Sequence, residues 1–305
     1  MKVLIFGSNG LVGNSLRRIF NNSKNYEVVF STRQSADLFD YNQTHKEVSN
    51  FKPDCVINAA AKVGGIYAND TKRTEFLINN LKINLNILES IKDLDKTKVI
   101  NLGSSCIYPL NAPNPISETS FMTGTLEPTN SAYAMAKITA IELGRAIKNE
   151  TSHEIINLMP TNLYGPNDNF SELDSHVIPG MISRMEKSKL ENTSEFHIWG
   201  SGKPLREFLH VDDLASAILF IIENEIAEDL VNIGSGEEIS IYNLAKKIKR
   251  IIGYGGNLVF DSSKPDGNPR KLLDSSLINS YGWNSKISLD EGLENTYKWF
   301  SETKF

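Results

Sequence analysis

The sequence predicts an α/β protein: a Rossmann-type, doubly wound parallel sheet with a smaller C-terminal α/β lobe. Two observations lead to this prediction. Short apolar runs alternate with stretches of helical periodicity through the first half, and a glycine-rich turn separates the first run from the first helix. After Tyr164 the pattern loosens into polar, turn-rich segments. We therefore expect a cofactor domain over residues 1–165 and a substrate lobe over 166–305, with about 200–235 returning to the first domain.

Five short apolar runs are predicted to be the strands of the first domain. Several are apolar at consecutive positions, as is typical of strands covered on both faces of a parallel sheet. The five runs are KVLIF, YEVVF, DCVINAA, KVINLG and EIINLMP. Helices are predicted where apolar residues recur at helical spacing. They are LVGNSLRRIFNN, TEFLINNLKINLNILESIKD and SAYAMAKITAIELGRAIKNE, and later DDLASAILFIIENEI, IYNLAKKIKRIIG and LDEGLENTYKWF.

The composition narrows the class of partner. The 305 residues carry 32 basic and 37 acidic side chains, for a net charge of −5, and show no basic stripe of the kind that binds nucleic acid. Two cysteines are too few for a disulfide framework, which favours a reducing compartment. No segment approaches the roughly 18 apolar residues that a membrane span needs. We expect a soluble, cytosolic protein that acts on a small molecule.

The turn after the first strand carries a dinucleotide-binding pattern. Gly7, Gly10 and Gly13 stand at G-x-x-G-x-x-G spacing between a strand and a helix. Glycines there permit a tight turn and let backbone N–H groups approach a pyrophosphate at the helix N-terminus. A plain strand–helix turn is the alternative. The cofactor-binding residues predicted in this loop are Gly7, Ser8, Asn9, Gly10, Leu11, Val12 and Gly13.

The end of the second strand indicates which dinucleotide is bound. An NAD site usually has a carboxylate about 20 positions past the loop, for the ribose 2′-hydroxyl, whereas an arginine there accommodates a 2′-phosphate. The run VVFSTRQ ends in Arg33 with no carboxylate beside it. A solvated surface arginine is the alternative explanation. We predict that NADPH is the cofactor and that Arg33 contacts its phosphate.

A reduction site is predicted on the helix after the fourth strand. Tyr133 and Lys137, in SAYAMAK, are four residues apart and therefore share one helix face. The charge of Lys137 can lower the pKa of Tyr133 from about 10 toward neutrality. Ser104, at the end of the fourth strand, can complete the hydrogen bonding around a substrate oxygen. A Y-x-x-x-K pair is common by chance, but its position after a glycine loop and a GSS turn favours carbonyl–alcohol redox chemistry.

Blocks along almost the whole chain resemble the extended short-chain dehydrogenases/reductases, and among them enzymes that epimerise and then reduce GDP-4-keto-6-deoxymannose. The blocks are AAAKVGGIYAN, LGSSCIYP, GTLEPTN, YAMAK, MPTNLYGPNDNF, SHVIP, WGSGKPLREFLHVDD and SKPDGNPRKLLD. The resemblance implies that Ser104, Tyr133 and Lys137 carry out the reduction and that Cys106 and His176 are the acid/base pair of the epimerisation. It also implies a homodimer. Further residues that it implies for the cofactor are Lys137, Pro160, Asn162, Leu163 and His176, and for the GDP-sugar Arg184, Trp199, Arg206 and Asp266.

One position departs from the family pattern. The family often has a basic residue in the glycine loop where this chain has Asn9, and that residue helps to hold the 2′-phosphate. Arg33 must then do more of this work.

The chemistry of the implied substrate suits these residues. A ketone at carbon 4 makes the hydrogens on carbons 3 and 5 acidic, so inversion needs one acid/base group on each side of the sugar ring. A thiol and an imidazole serve because their ordinary pKa values are about 8.5 and 6.5. Taken singly, each residue has an alternative explanation: Cys106 as a buried filler residue and His176 as a helix-start residue.

Four other functions are compared with this one. A nucleotide-sugar dehydratase is disfavoured because the dehydratases of this superfamily resemble S-T-D/T-E where this chain has SSCIY. The chain could reduce carbon 4 of another GDP-linked 4-keto sugar, such as a heptose, with or without epimerisation. A UDP-sugar epimerase that retains NAD is disfavoured by Arg33 and Cys106. A redox-sensing protein that binds NADP without turnover is disfavoured because such proteins typically lose the tyrosine or the lysine.

Overall fold

The computed structural model describes residues 1–21, 23–171, 174–263 and 266–304. The strands are β1 Lys2–Phe6, β2 Glu27–Phe30, β3 Cys55–Asn58, β4 Lys98–Leu102, β5 Glu154–Pro160, β6 Asn162–Tyr164, β7 Glu195–Trp199, β8 Leu205–His210, β9 Leu230–Ile233, β10 Glu238–Ser240, β11 Asn257–Asp261 and β12 Arg270–Lys271. The helices are α1 Leu11–Phe20, α2 Tyr41–Phe51, α3 Ile66–Thr71, α4 Arg73–Ser90, α5 Ser131–Glu150, α6 Val177–Leu190, α7 Val211–Glu223, α8 Ile241–Ile252, α9 Ser276–Ser280 and α10 Leu289–Lys304.

The central sheet confirms the predicted Rossmann-type architecture. Within the described residues, six parallel strands lie in the order β2-β1-β3-β4-β5-β9. The five predicted strands all belong to this sheet. The sixth strand, β9, comes from much later in the chain and pairs with β5, where Asn157 lies opposite Leu230. Because parallel strands end at one edge, the loops after β1, β3, β4 and β5 meet there.

Both faces of the sheet are covered by helices, as a doubly wound fold requires. On one face, Val3 and Ile5 of β1 pack into a core with Leu16 of α1 and Ile218 of α7. On the other face, Leu4 and Phe6 pack with Val48 of α2, Ile87 of α4 and Ile147 of α5. The continuous apolar run of β1 is thus explained, because successive side chains enter two different cores.

The rest of the chain builds smaller sheets around a separate core. Strand β8 pairs with β10 in antiparallel fashion and with β6 and β12 in parallel, while β7 pairs with β11. Helices α6, α8 and α10 share a core with members such as Ile182, Leu244 and Leu293. The division into two domains at residue 165 stays a prediction. Among the described helices, none is both long and apolar enough to cross a membrane.

Candidate active site

The glycine loop forms a tight cradle at the carboxyl end of β1. Gly7 has a φ of +77°, and a Cβ atom there would lie 2.6 Å from the backbone of Ala59. A Cβ on Gly13 would overlap the backbone of Ser8. The turn closes with a hydrogen bond from Gly10 N to the Gly7 carbonyl at 3.1 Å, and Gly10 caps the start of α1. Side chains are therefore excluded where a pyrophosphate would approach the helix N-terminus.

A cavity of about 280 Å³ lies beside this cradle. The buried Ser8 hydroxyl donates to the Ser31 carbonyl at 2.7 Å and so ties the glycine loop to the end of β2. Arg33 is exposed at the cavity, with its guanidinium carbon 5.7 Å from the centre of the Phe39 ring. The cavity is lined by Phe6, Gly7, Ser8, Asn9, Gly10, Ser31, Thr32, Arg33, Ala36, Asp37, Leu38, Phe39, Ala59, Ala60, Ala61 and Ile83. A side-chain-free cradle with a cation at one side fits a dinucleotide that carries a 2′-phosphate.

Other predicted cofactor residues are not among those that line this cavity. Among the described residues, its lining does not include Leu11, Val12, Pro160, Asn162 or Leu163. Leu11 and Val12 begin α1, and Pro160 ends β5. Asn162 donates its side-chain amide to the Glu207 carbonyl at 2.8 Å, so this group is already engaged in joining β6 to β8.

Ser104, Tyr133 and Lys137 come together at the carboxyl end of β4. Ser104 follows this strand, and its hydroxyl accepts the backbone N–H of Cys106 at 3.3 Å, which caps a short 3₁₀ turn. Helix α5 places Tyr133 and Lys137 on one face, with the Lys137 ammonium 5.8 Å from the centre of the Tyr133 ring. The same ammonium donates to the Leu102 carbonyl at 2.6 Å. The local motifs and the fold therefore agree on where the three side chains meet.

Burial controls the ionisation of this group. Lys137 is 2% exposed, and burial lowers its pKa to about 8. Burial and the neighbouring Cys106 raise the pKa of Tyr133, while its hydrogen bond with Ser104 acts in the opposite direction. The prediction that Lys137 lowers the pKa of Tyr133 is therefore wrong for this structure, because desolvation of the phenolate outweighs the other effects.

Cys106 has a basic neighbour that the sequence did not indicate. Its half-buried Sγ lies 3.9 Å from the ammonium of Lys271, which is placed by the pairing of β12 with β8. Cys106 also packs against the apolar cluster of Ala68, Phe76 and Tyr133. Lys271 is 165 positions away along the chain, so no local spacing could have revealed the contact.

His176 lies next to the segment of Gly64, whose backbone it contacts. It precedes α6, in a segment where the Asp174 carbonyl accepts the N–H of Gly65 at 3.3 Å. A Cβ on the adjacent Gly64 would lie 3.1 Å from the Phe76 ring, which in turn meets Tyr133 edge-on at 6.3 Å. Desolvation lowers the pKa of His176, and a hydrogen bond with the Gly64 backbone acts in the opposite direction. Cys106 contacts Tyr133 directly, whereas His176 is connected to it through Gly64 and Phe76.

The four predicted GDP-sugar residues form two pairs. The Arg184 guanidinium carbon lies 4.6 Å from the centre of the Trp199 ring, and Trp199 is 42% exposed. Arg206 is half-buried, and burial lowers its pKa while the charge of Asp266 acts in the opposite direction. Asp266 accepts the backbone N–H of Ser201 at 2.6 Å and its hydroxyl at 2.8 Å. An exposed indole stacked on a guanidinium offers a surface for a base, and the second pair offers a fixed cation.

Comparison with known proteins gives a consistent result. The model of the NAD dependent epimerase/dehydratase family matches residues 3–234. GDP-L-fucose synthase 1 of Arabidopsis thaliana is 45% identical over 299 residues, which cover 98% of this chain and 93% of that protein.

Two crystal structures are also similar. A GDP-L-fucose synthetase from Naegleria fowleri bound to NADP has a TM-score of 0.92 at 31% identity, over 99% of this chain and 93% of that chain. A GDP-6-OMe-4-keto-L-xylo-heptose reductase from C. jejuni has a TM-score of 0.90 at 29% identity, over 99% of this chain and 97% of that one.

Proposed function

The chain belongs to the NAD dependent epimerase/dehydratase family, and on that premise we propose that it converts GDP-4-keto-6-deoxy-D-mannose to GDP-L-fucose with NADPH. One observation carries this proposal. The reduction set of Ser104, Tyr133 and Lys137 lies around the same apolar cluster as the thiol of Cys106. A reductase alone needs the first three residues, whereas the thiol adds a group that can move protons beside a ketone.

Epimerisation needs two acid/base groups and a stabilised ketone oxygen. We assign Cys106, which packs against the cluster, to one face of the sugar and His176 to the other. Removal of a proton from carbon 3 or carbon 5 places negative charge on the oxygen at carbon 4. The hydroxyls of Ser104 and Tyr133 donate to this oxygen as an oxyanion hole would.

Reduction uses the same donors. The chemistry that a bound NADPH supplies is hydride for carbon 4. Tyr133 gives its proton to the oxygen, and its raised pKa keeps that proton in place beforehand. Lys137 is held by the Leu102 carbonyl and is assigned to the cofactor ribose and to the charge that develops on Tyr133. Arg33 binds the 2′-phosphate, while Arg184, Trp199, Arg206 and Asp266 bind the GDP moiety.

A carbon-4 reductase of a GDP-linked 4-keto heptose is the second candidate, favoured by the likeness to the C. jejuni reductase. The two can be separated by supplying GDP-4-keto-6-deoxymannose with NADPH. The proposal expects loss of NADPH absorbance and formation of GDP-L-fucose. With NADP⁺ instead, in heavy water, it expects deuterium at carbons 3 and 5. Reduction without this exchange would overturn the epimerase assignment, and turnover of the heptose alone would favour the second candidate.

We also propose a homodimer in the cytosol. Helices α4 and α5 pack against each other and carry large apolar side chains that are exposed, namely Ile78 at 45%, Leu85 at 40% and Met135 at 47%. Covering such side chains with a second copy would bury apolar surface. Light scattering after gel filtration should give twice the chain mass of 34.0 kDa. A monomer at micromolar concentration would refute the dimer.

A further inference from the structure

A row of buried asparagines crosses the central sheet. Asn58, Asn101 and Asn157 lie opposite one another on β3, β4 and β5, and each is at most 1% exposed. The Asn58 amide donates to Asn101 Oδ1 at 2.9 Å, and the Asn101 amide donates to Asn157 Oδ1 at 3.0 Å. The Asn157 amide then donates to the Asp229 carbonyl, also at 3.0 Å. The three side chains form one continuous chain of hydrogen bonds.

The row continues into the loop that leaves β3. Asn58 Oδ1 accepts the N–H of Ala60 at 3.2 Å, and its amide also donates to Asn84 Oδ1 at 2.9 Å. Asn84 donates to the Asn80 carbonyl at 2.8 Å. Asn80 both accepts the N–H of Lys62 and donates to its carbonyl, each at 3.0 Å. The loop over residues 59–62 is therefore held at both ends by buried amides.

This loop is a wall of the cofactor cavity. Ala59, Ala60 and Ala61 line it, and the backbone of Ala59 and Ala60 approaches Gly7 so closely that a Cβ there would lie at 2.6 Å. A displacement of a few tenths of an ångström would thus alter the contact with the glycine loop. Apolar side chains could fill the centre of a buried sheet, and they have no donor or acceptor that needs a hydrogen-bond partner. Stability alone does not account for three aligned amides that end at this loop.

We propose that Asn58 is a positioning residue for the cofactor site: it sets the loop 59–62 against the glycine loop, and the amides of Asn101 and Asn157 orient its side chain. This inference rests on the proposed binding of NADPH. It predicts that the effect of a substitution on cofactor affinity declines along the row, from Asn58 through Asn101 to Asn157. If the row had only a structural role, the substitutions would lower the stability of the fold, and their effects on cofactor affinity would not follow this order.

The test compares Asn58→Leu, Asn101→Leu and Asn157→Leu, which keep the branched shape and remove the amide. Asn157→Leu is the matched control, because Asn157 is equally buried but does not contact the loop. NADPH affinity is measured by fluorescence titration of each protein, and stability by urea unfolding. Loss of about one hydrogen bond to the loop should raise the Kd of NADPH about tenfold for Asn58→Leu. Asn101→Leu should raise it by roughly threefold and Asn157→Leu by less than about twofold.

A second measurement does not depend on the cofactor. Hydrogen exchange of the peptide that contains Ala60 and Lys62, in protein without NADPH, should be faster in Asn58→Leu than in Asn157→Leu. If Asn58→Leu does not fold, Asn101→Leu tests the same claim in a milder form. Equal Kd values in all variants, or equal exchange rates, would overturn the proposal. Absence of NADPH binding by the unsubstituted protein would instead refute the proposed function and the inference that rests on it.

Discussion

The buried ammonium of Lys137 predicts an unusual dependence of stability on pH. Burial lowers its pKa from 10.5 to about 8 in the folded protein. At low pH both states carry the charge, and the folded state bears the full penalty of burying it. As the pH rises from about 8 to about 10.5, the folded protein loses the proton before the unfolded chain does. The penalty is therefore relieved with rising pH, and the native state gains stability in that window.

The size of the effect follows from the two pKa values. Their difference, at 1.36 kcal/mol per pH unit, corresponds to about 3 kcal/mol in total. Between pH values of about 7.5 and 9.5, roughly 2 kcal/mol of this should appear. Lys137→Met keeps the length of the side chain and removes the titrating group. The difference between the unfolding free energies of the unsubstituted protein and Lys137→Met should therefore change by about 2 kcal/mol across this range.

Urea unfolding of both proteins at the two pH values measures this difference, and all other titrating groups cancel because they are common to both. Met cannot donate to the Leu102 carbonyl, so the loss of this hydrogen bond shifts the stability of Lys137→Met by an offset that is the same at every pH. Parallel pH profiles for the two proteins would refute the reasoning. The value of kcat/KM for reduction, which reports ionisation of the free enzyme, should also fall as the pH rises through about 8, since the charged form supports Tyr133.

Four substitutions test the remaining assignments. Arg33→Ala should raise the KM for NADPH far more than that for NADH, because it removes a phosphate contact that contributes about 1.5–3 kcal/mol of binding free energy. Equal effects on the two KM values would contradict this contact. Gly13→Ala should weaken NADPH binding in a titration, because its Cβ would overlap Ser8 and shift the loop; unchanged affinity would argue against the cradle. Tyr133→Phe should slow reduction by roughly 10² to 10⁴ with the fold retained, and near-normal turnover would exclude Tyr133 as donor. Cys106→Ala should abolish deuterium loading at carbons 3 and 5, and normal loading would leave this cysteine structural.

The central sheet could be predicted because its strands enter two cores and are therefore apolar at consecutive positions. Four of the described helices were not predicted: the short α3 and α9, with six and five residues, and the longer α2 and α6. Helix α2 buries only Thr44 and Val48, which leaves its apolar stripe too thin to recognise. Helix α6 does carry apolar residues at helical spacing, including Ile178 and Met185, but it follows a polar, turn-rich segment that masked the pattern.

Some features of the candidate site could be predicted from the sequence, and others depend on the fold. The glycine loop and the Tyr133–Lys137 pair are local patterns, so their positions could be predicted from spacing. Lys271 beside Cys106 depends on the pairing of β12 with β8 and has no local signature. The asparagine row depends on the register of three strands. The pKa of Tyr133 was predicted to be lowered but is raised, because it depends on burial, which only the fold determines. The chemical roles of the site residues stay predictions.

Strand β9 lies far from its partner β5 along the sequence, and this separation affects how the chain folds during synthesis. Strand β5 is complete once residue 160 has been synthesised, yet the neighbour that satisfies its outer edge spans Leu230–Ile233. A nascent chain, or a fragment that stops near residue 165, leaves the backbone of β5 open to pairing with any other strand. The glycine-loop half is therefore not an autonomous module that can be transplanted onto another substrate lobe. This edge of β5 can be paired only after some seventy further residues have been synthesised.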